Sequence, residues 1–370
     1  MRARSQFLFA SILLNAAGAC EAEPLPRFTQ SNAVWNLDVS SAPIRSNSTQ
    51  MMQHLEYLAT LHTGAGKWGG DSLSSNSDFQ IDFSMYVLHA DASTPTAPVV
   101  AWPDAGPDGY YADDCDAASP QTQFPVPVGG GIEGTDPPAY SCSAGTEDCH
   151  LLVVNDAAHV LWESYNTDSL DPSGLNTRCA VHWYLDRVYP RYGRGEHCTS
   201  ADGAGFPIAP LLFNADEVHA AAQVQGDLGH AISFILGNSR MMDDKYVHPA
   251  SHGTLATSDP DPNAVPCGSR LRLKAAFDVD AFSTNEGVRV LLRSLKKYGM
   301  FLADGGSIPL TGEADAFTTH TWNELDIDSH SLFGIDPTDF EVIEAGTPMT
   351  VTYDCVRTPD DFVFIDGYDY

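Results

Sequence analysis

The chain has 370 residues, with 49 Asp and Glu against 19 Lys and Arg, for a formal net charge of −30. A field of that sign repels nucleic acid and anionic lipid, so neither is expected as a partner. Hydrophobic residues make up 43% of the chain, enough for the sizeable core of one large or two small domains.

The first residues have the parts of a secretory signal in order. Arg2 and Arg4 give a positive start, Phe7 to Leu14 is a short apolar run, and Ala16 to Ala19 is a small-residue stretch. The run is far below the roughly twenty residues that span a bilayer. We therefore expect a signal peptide over residues 1–19 and one β-rich globular domain over 20–370, exported to the cell surface or beyond. Cys20 follows Ala17-Gly18-Ala19, which is either an ordinary cleavage site or a lipoprotein box with Cys20 as the lipid anchor. Ala17 is a poor match to the Leu usual in such a box.

Residues 21–34 form an irregular lead-in. Ser48 to Ala59 then places Met51, Met52, Leu55 and Leu58 at helical spacing behind Ser48 as a cap. Gly64 to Ser77 is a Gly/Ser-rich loop. Phe79 to Leu88 alternates, with Ile81, Phe83, Met85 and Val87 on one face, and is expected as a strand. Residues 103–147, rich in Pro, Gly and Asp, are expected as a long disulfide-tied loop region with PVPVGGGIEG extended.

From His150 the pattern tightens. His150 to Val154 and His159 to Tyr165 form a hairpin turning at Asn155-Asp156, and Ala180 to Asp186 is a third strand. Asn214 to Gln223 is a short capped helix, and His230 to Leu236 and Ser269 to Phe277 are further strands. Ser283 to Tyr298 reads as a helix with a Ser283/Glu286 capping box and Gly299 as its stop. Strands at Met300 to Ala303 and Met349 to Cys355 complete the body, before an aromatic, acidic tail. Many short strands and few helices predict a mainly β fold, a β-sandwich or jelly-roll-like body with peripheral helices.

Without Cys20, seven cysteines remain, and cysteines of an exported chain are read first as disulfides. Closeness in sequence pairs Cys142 with Cys149 and Cys179 with Cys198; Cys267 with Cys355 is a third pair, leaving Cys115 over. No Cys/His cluster has zinc spacing. The Asp excess, 36 Asp to 13 Glu, suits Ca²⁺ binding by loops, or simply a solvated acidic surface.

No nucleophile elbow, phosphate loop or dinucleotide fingerprint is present. Candidate chemistry rests on acids and histidines of strands and strand ends. Asp148 and His150 share a face at a strand start, where a carboxylate can hold one imidazole tautomer. Glu163 lies between Leu161 and Tyr165 on one apolar face, opposite Val160 and Trp162. It faces either an aromatic-lined groove or water at an edge. His182, Tyr184 and Asp186 form a wet face opposite Val181, Trp183 and Leu185. Asp202 sits among small residues in SADGAG, which let a ligand approach. His230 shares a face with Ile232 and Phe234, as core histidines do, and His252 lies in the HPASH loop. Arg270, Arg272 and Lys274 alternate along one strand face, either to bind an acidic substrate or to pair internally. Asp304 is a strand-end acid before Gly305-Gly306.

Several of these segments occur together in a familiar order. Asp148-x-His150 leads into LLVVNDAAHVLWESYN, then TSADGAGFPIAPLLFNADEV, GHAISFIL, HPASHGT, GSRLRLKAAFD and LLRSLKKYGMFLADGG. In that order they resemble a family of exported bacterial proteins without an established reaction. The resemblance covers roughly residues 35–345 and is densest over 148–306. It implies that Asp148, His150, Glu163, Asp202, Asp216, Glu217, His230, His252, Arg270 and Asp304 lie in shared segments. The loop at 103–147 and the stretch from Asp186 to His197 depart from it.

Two readings follow. The first is a secreted glycoside hydrolase acting on a polysaccharide. Glu163 and Asp202 are its carboxylate pair, Asp148 and His150 support them, and Trp162, Tyr165, Tyr184, Asp186, His230, His252, Arg270, Arg272 and Asp304 contact substrate. A lyase variant would use the Arg270/Arg272 row to neutralise a uronate. The second is a non-catalytic surface protein that binds glycan or protein, held together by Ca²⁺.

Overall fold

A computed structural model describes residues 25–60, 68, 78–102, 109–112, 114–119, 121–142, 148–171, 173–254 and 256–357. The signal segment, Cys20, most of the Gly64 to Ser77 loop and the FVFIDGYDY tail lie outside them. Strand content is 27% against 16% helix, so the protein is mainly β. Among the described residues no helix is long and apolar enough to cross a membrane.

Three larger sheets and a small one make up the body. A six-stranded mixed sheet runs, edge to edge, Ile81–Met85, Leu310–Glu313, Ile232–Leu236, Met300–Gly305, Arg270–Leu273 and Phe340–Val342. An inner four-stranded sheet runs Val87–His89, Leu151–Asn155, Val160–Tyr165 and Cys179–Tyr184. An outer one runs Gln123–Pro125, Thr96–Ala101, Gly174–Thr177 and Ser169–Asp171. Met241–Tyr246 pairs with Val265–Cys267 and Met349–Thr350 in the small sheet. Several ladders are parallel, such as Ile232–Leu236 on Met300–Gly305 and Val87–His89 on Leu151–Asn155. A jelly roll is antiparallel throughout, so the body is a set of mixed sheets and not that fold.

Strand period two explains how the inner sheet is buried on both faces. Leu152, Val154, Leu161, Val181 and Trp183 enter the main core with the six-stranded sheet. Leu151, Val153 and Ala180 join Val99, Phe124 and Leu175 of the outer sheet in a second core. The segment expected as one strand from Phe79 to Leu88 is two. Ile81–Met85 belongs to the six-stranded sheet and Val87–His89 to the inner one, so the chain changes sheets at Tyr86.

Helix α1 (Ser48–Thr60) packs its Met51, Met52 and Leu55 on the strand Phe340–Val342. Helix α2 (Ala215–Gln223) is capped by Asn214, whose side chain accepts from the Glu217 N–H. A single turn, α3 (Val279–Phe282), precedes α4 (Glu286–Lys297). The cap of α4 is Asn285, whose Oδ1 accepts from Gly287 and Val288 N–H, and not Ser283. Ser283 instead takes the Asn285 N–H, because α3 occupies the turn expected to open the helix. Gly299 ends α4 at φ +69°, where an added Cβ would stand 2.4 Å from the Leu271 carbonyl.

Among the described residues three disulfides form, which is consistent with folding in an oxidising setting. Cys142–Cys149 is the pair expected. Cys179 joins Cys115, because residues 111–116 run beside the strand that Cys179 opens: Asp116 N–H donates to the Ala180 carbonyl and Tyr111 N–H to Arg178. Cys198 joins Cys355 across 157 residues, beside the Glu196–Val356 bridge. Among the described cysteines Cys267, not Cys115, is the free thiol, and it is fully buried. Closeness in sequence misled at 179/198 because strand pairing set the geometry.

Candidate functional site

The loop from Thr199 to Phe206 lies between the inner and six-stranded sheets and is held from both. On one side the Ala204 N–H donates to the Ala303 carbonyl. On the other the His150 ring, at the start of the inner sheet's second strand, reaches the Ala201 carbonyl at 3.0 Å. Asp202 organises the loop: its Oδ1 accepts from Ala204 and Phe206 N–H, and its own N–H donates to Ser200 Oγ. Asp202 Oδ2 accepts no hydrogen bond among the described residues.

Asp304 closes on the same loop from the end of the strand Met300–Gly305. Its Oδ2 accepts from Gly203 N–H at 2.9 Å and its Oδ1 from Gly305 N–H at 2.7 Å. Any Cβ at residue 203 would stand 2.6 Å from Asp304 Oδ1, so only glycine allows this approach. Two carboxylates therefore share one loop. Burial first, and their mutual repulsion second, hold the Asp202 pKa well above the ordinary range. Burial, with the Asp148 charge next, pushes Asp304 up to about 6.

His150 is the positive group beside them. Burial would lower its pKa, but the Glu133 carboxylate, 2.8 Å from Nδ1, overrides this with help from Asp148 and lifts it to about 10. The ring is an imidazolium that donates from both nitrogens, to Glu133 and to Ala201. It is a fixed charge that positions the loop, not a general base. Glu133 also takes the His150 backbone N–H, and its Oε1 is 3.3 Å from the Ser84 hydroxyl.

Around this centre stand Tyr165, 5.6 Å from the His150 ring, and Tyr111, stacked on Tyr165 at 6.5 Å with 13° between planes. Asp148 is exposed, and Asp304, Tyr165 and Tyr111 are half-buried, so the cluster opens to solvent. His252 lies beneath, Nδ1 3.2 Å from the Gly203 carbonyl, its pKa lowered by burial. The Cys267 thiol nearby is pushed up by burial and by Asp202 and Asp304, which leaves it unreactive. Asp148, His150, Asp202, Asp304, Tyr165 and His252 thus meet in one cluster. Glu133 and Tyr111 join them without having been singled out in the sequence. The only signal for Glu133 was an isolated acid in a glycine-rich stretch.

Other expected site residues go elsewhere. Glu163 has no exposed surface. Its Oε1 accepts from Ile208 and Ala209 N–H and its Oε2 from Trp183 Nε1, at 2.8 to 2.9 Å. Burial raises its pKa to about 7, and no atom of it faces a substrate. His230 is a core residue whose Nδ1 donates to the Ala231 carbonyl, its pKa lowered by burial. The cation row is internally paired. Arg270 donates to the Tyr298, Val34 and Leu37 carbonyls, Arg272 pairs with Glu341, and Lys274 reaches the Thr338 carbonyl. Trp162 and Tyr184 line a groove on the opposite sheet face, and Asp186 is exposed beyond its strand.

Among the described residues the one group of three ligating side chains within 4.8 Å is Asp114, Cys198 and Cys355, and the two cysteines are bonded to each other. This group cannot supply thiolate ligands. Comparison with family models, with characterised proteins and with solved structures finds no match to this chain.

Two predictions arise from this geometry. Removing the Glu133 carboxylate as Glu133→Gln should let burial discharge His150, and the lost positive charge should raise the Asp304 pKa further. The expected result is a His150 ring that titrates well below the value of about 10 it has beside Glu133. An NMR titration of the ring in the parent and in the variant checks it: an unmoved His150 titration would leave Glu133 a purely structural role.

The second concerns stability. Asp202, Asp304, Glu163 and Glu313 all have raised folded pKa values, with Glu163 and Glu313 near 7. Each binds its proton more tightly when folded, so its contribution is present below the ordinary carboxyl pKa near 4 and is lost as pH rises through 6 to 7. Glu133 and Asp116 are lowered, so theirs is lost only as pH falls below about 4. His150 contributes fully below its ordinary value near 6.5 and loses that contribution as pH rises from there toward 10. Thermal melting should therefore peak between about pH 4 and 5 and fall by about 3 °C by pH 8, for about 2 kcal/mol lost. A flat or rising melting curve over that range would contradict these environments.

Proposed function

We propose that this chain is an extracellular, acid-working glycoside hydrolase of a polysaccharide, with Asp202 and Asp304 as its carboxylate pair. The observation that carries it is the two acids bound to one loop, both with pKa values raised first by burial, Asp202's next by Asp304 and Asp304's next by Asp148, beside the stacked Tyr111 and Tyr165. Tyrosine faces suit sugar rings, and a pair of acids kept partly protonated near neutral pH suits glycosidic cleavage. The three disulfides support work outside the cell, and the signal-like residues 1–19 support export.

The roles follow from environment. Asp202, whose pKa burial and the Asp304 charge hold well above the ordinary range, keeps its proton, and Oδ2 is the oxygen left to carry it. That proton passes to the leaving glycosidic oxygen. Asp304, fixed by two backbone N–H groups, is ionised above about pH 6 and serves as base or nucleophile. Its ionised form is the one those N–H groups favour. The imidazolium of His150 offsets the negative charge that builds beside it.

A non-catalytic glycan-binding role is the second reading, favoured by the 7% exposure of Asp202. The lyase variant loses its support, because Arg270 and Arg272 are committed to internal partners. Reducing-sugar release from a panel of extracellular polysaccharides between pH 4 and 7 separates the readings. Release that disappears in Asp304→Asn supports hydrolysis; binding without release supports the second.

A further inference from the structure

The inner sheet has a second face, and it carries a groove of about 620 Å³ between that sheet, the outer sheet and Ala112, Cys115, Asp116 and Ala117. This is within the roughly 300–1,000 Å³ range of small-molecule sites. Trp162 and His182 stand directly opposite each other in the ladder, with Tyr184 two residues on and Phe124 across the gap. They point away from Leu161, Glu163, Val181 and Trp183, which face the main core with the Asp202–Asp304 cleft. Groove and cleft therefore lie on opposite faces of one sheet.

The polar wall is prearranged. Asp116 Oδ2 accepts from the His182 backbone N–H at 2.9 Å and from its Nδ1 at 2.6 Å, and Oδ1 accepts from Arg194 at 2.5 Å. Fixing Nδ1 fixes the ring, whose side chain is 36% exposed and whose Nε2 has no partner among the described residues. Arg357 lines the groove 3.9 Å from Asp116. Its buried Nε and Nη2 have no acceptor among the described residues. The two guanidinium groups are balanced by Asp116 and by Asp114, whose charge reaches Arg357. In a molecule of net charge −30 this wall is locally close to neutral.

We infer that the groove is a binding site for a neutral, hydroxyl-rich sugar ring, stacked on Trp162 and hydrogen-bonded at His182. An apolar ring platform beside fixed polar groups is what a pyranose needs, with its flat C–H face and its rim of hydroxyls. Local neutrality, set in a strongly anionic surface, selects against uronates and sulfated sugars. The inference shares with the proposed function the expectation of a glycan. It does not depend on which carboxylates react.

Isothermal titration tests it, with cello-, xylo-, manno- and maltohexaose as neutral probes and hexagalacturonate as the charged control. We expect one neutral probe to bind and the control not to. In Asp304→Asn that affinity should stay within about twofold, because the cleft is on the other face. Trp162→Ala should weaken it by about tenfold or more, and His182→Ala by severalfold. Trp162 also packs in the second core, so if its replacement lowers the melting temperature, His182→Ala decides. Binding by none of the neutral probes would overturn the inference, as would affinity unchanged in both groove variants. Affinity lost in Asp304→Asn but kept in the groove variants would move the sugar to the cleft and likewise overturn it. Turnover lost in Asp304→Asn with no groove binding would refute this site alone and leave the hydrolase reading standing.

Discussion

Asp304→Asn is expected to reduce glycan turnover by at least about 10³-fold while the fold survives. The substitution is nearly isosteric and removes one negative charge. The Asn carbonyl can still accept from the Gly203 N–H. Its amide nitrogen, facing the Gly305 N–H, loses one bond at the half-buried strand end. What disappears is the ionisable group of the proposed base and the like charge that helps raise the Asp202 pKa. Asp202 should then titrate lower, so residual activity should shift to more acidic pH. Asp202→Asn should be equally inactive without that shift, because Asp304 draws its raised pKa first from burial and next from Asp148. Comparing the two variants' pH–rate profiles checks the assignment. Full activity in either variant would refute the pair.

Much of this cleft was legible because its acids announce themselves locally. Asp202 and Asp304 are each followed by glycine, and an acid with no neighbouring Cβ is one that something can approach. At Gly203 the approaching group is Asp304 itself. Asp148 and His150 read as two residues of one strand face, but the strand begins at Leu151 and Cys149 has φ +51°, so they meet at the entry to the strand and not through its alternation. Glu133 was not, because its meaning comes from His150, 17 residues later. The strand alternation at Val181, Trp183 and Leu185 was correctly apolar, and its wet counterpart proved to wall a groove. The disulfides at Cys179 and Cys198 were misread because pairing is decided by which strands and bridges adjoin. Loop length does not carry that information. The two-sheet split at Tyr86 was hidden for a related reason: both halves keep the same alternation while the chain changes partners.

Glu163 shows the remaining limit, and it sets the largest expected effect on stability. The sequence correctly makes both faces of its strand apolar but cannot say whether the acid meets a groove or a core. That depends on residues 208–209, 45 positions on, which turn their N–H groups onto Oε1, and on Trp183 in the neighbouring strand, which meets Oε2. Three buried donors thus converge on one side chain with no exposed surface. Glu163→Ala leaves all three unsatisfied and opens a void, at a cost of about 4 kcal/mol or more. Glu163→Gln keeps the volume and an acceptor for the two backbone donors. Its amide nitrogen would then face Trp183 Nε1, donor against donor, for about 2 kcal/mol. A catalytic Glu163 would behave in the opposite way, with the Gln variant as stable as the parent and inactive. Urea denaturation together with turnover at saturating substrate distinguishes them. The expected outcome is a Gln variant that unfolds at lower denaturant yet keeps most of its turnover where it remains folded, because Glu163 meets residues 208–209 and Trp183, outside the loop that bears Asp202.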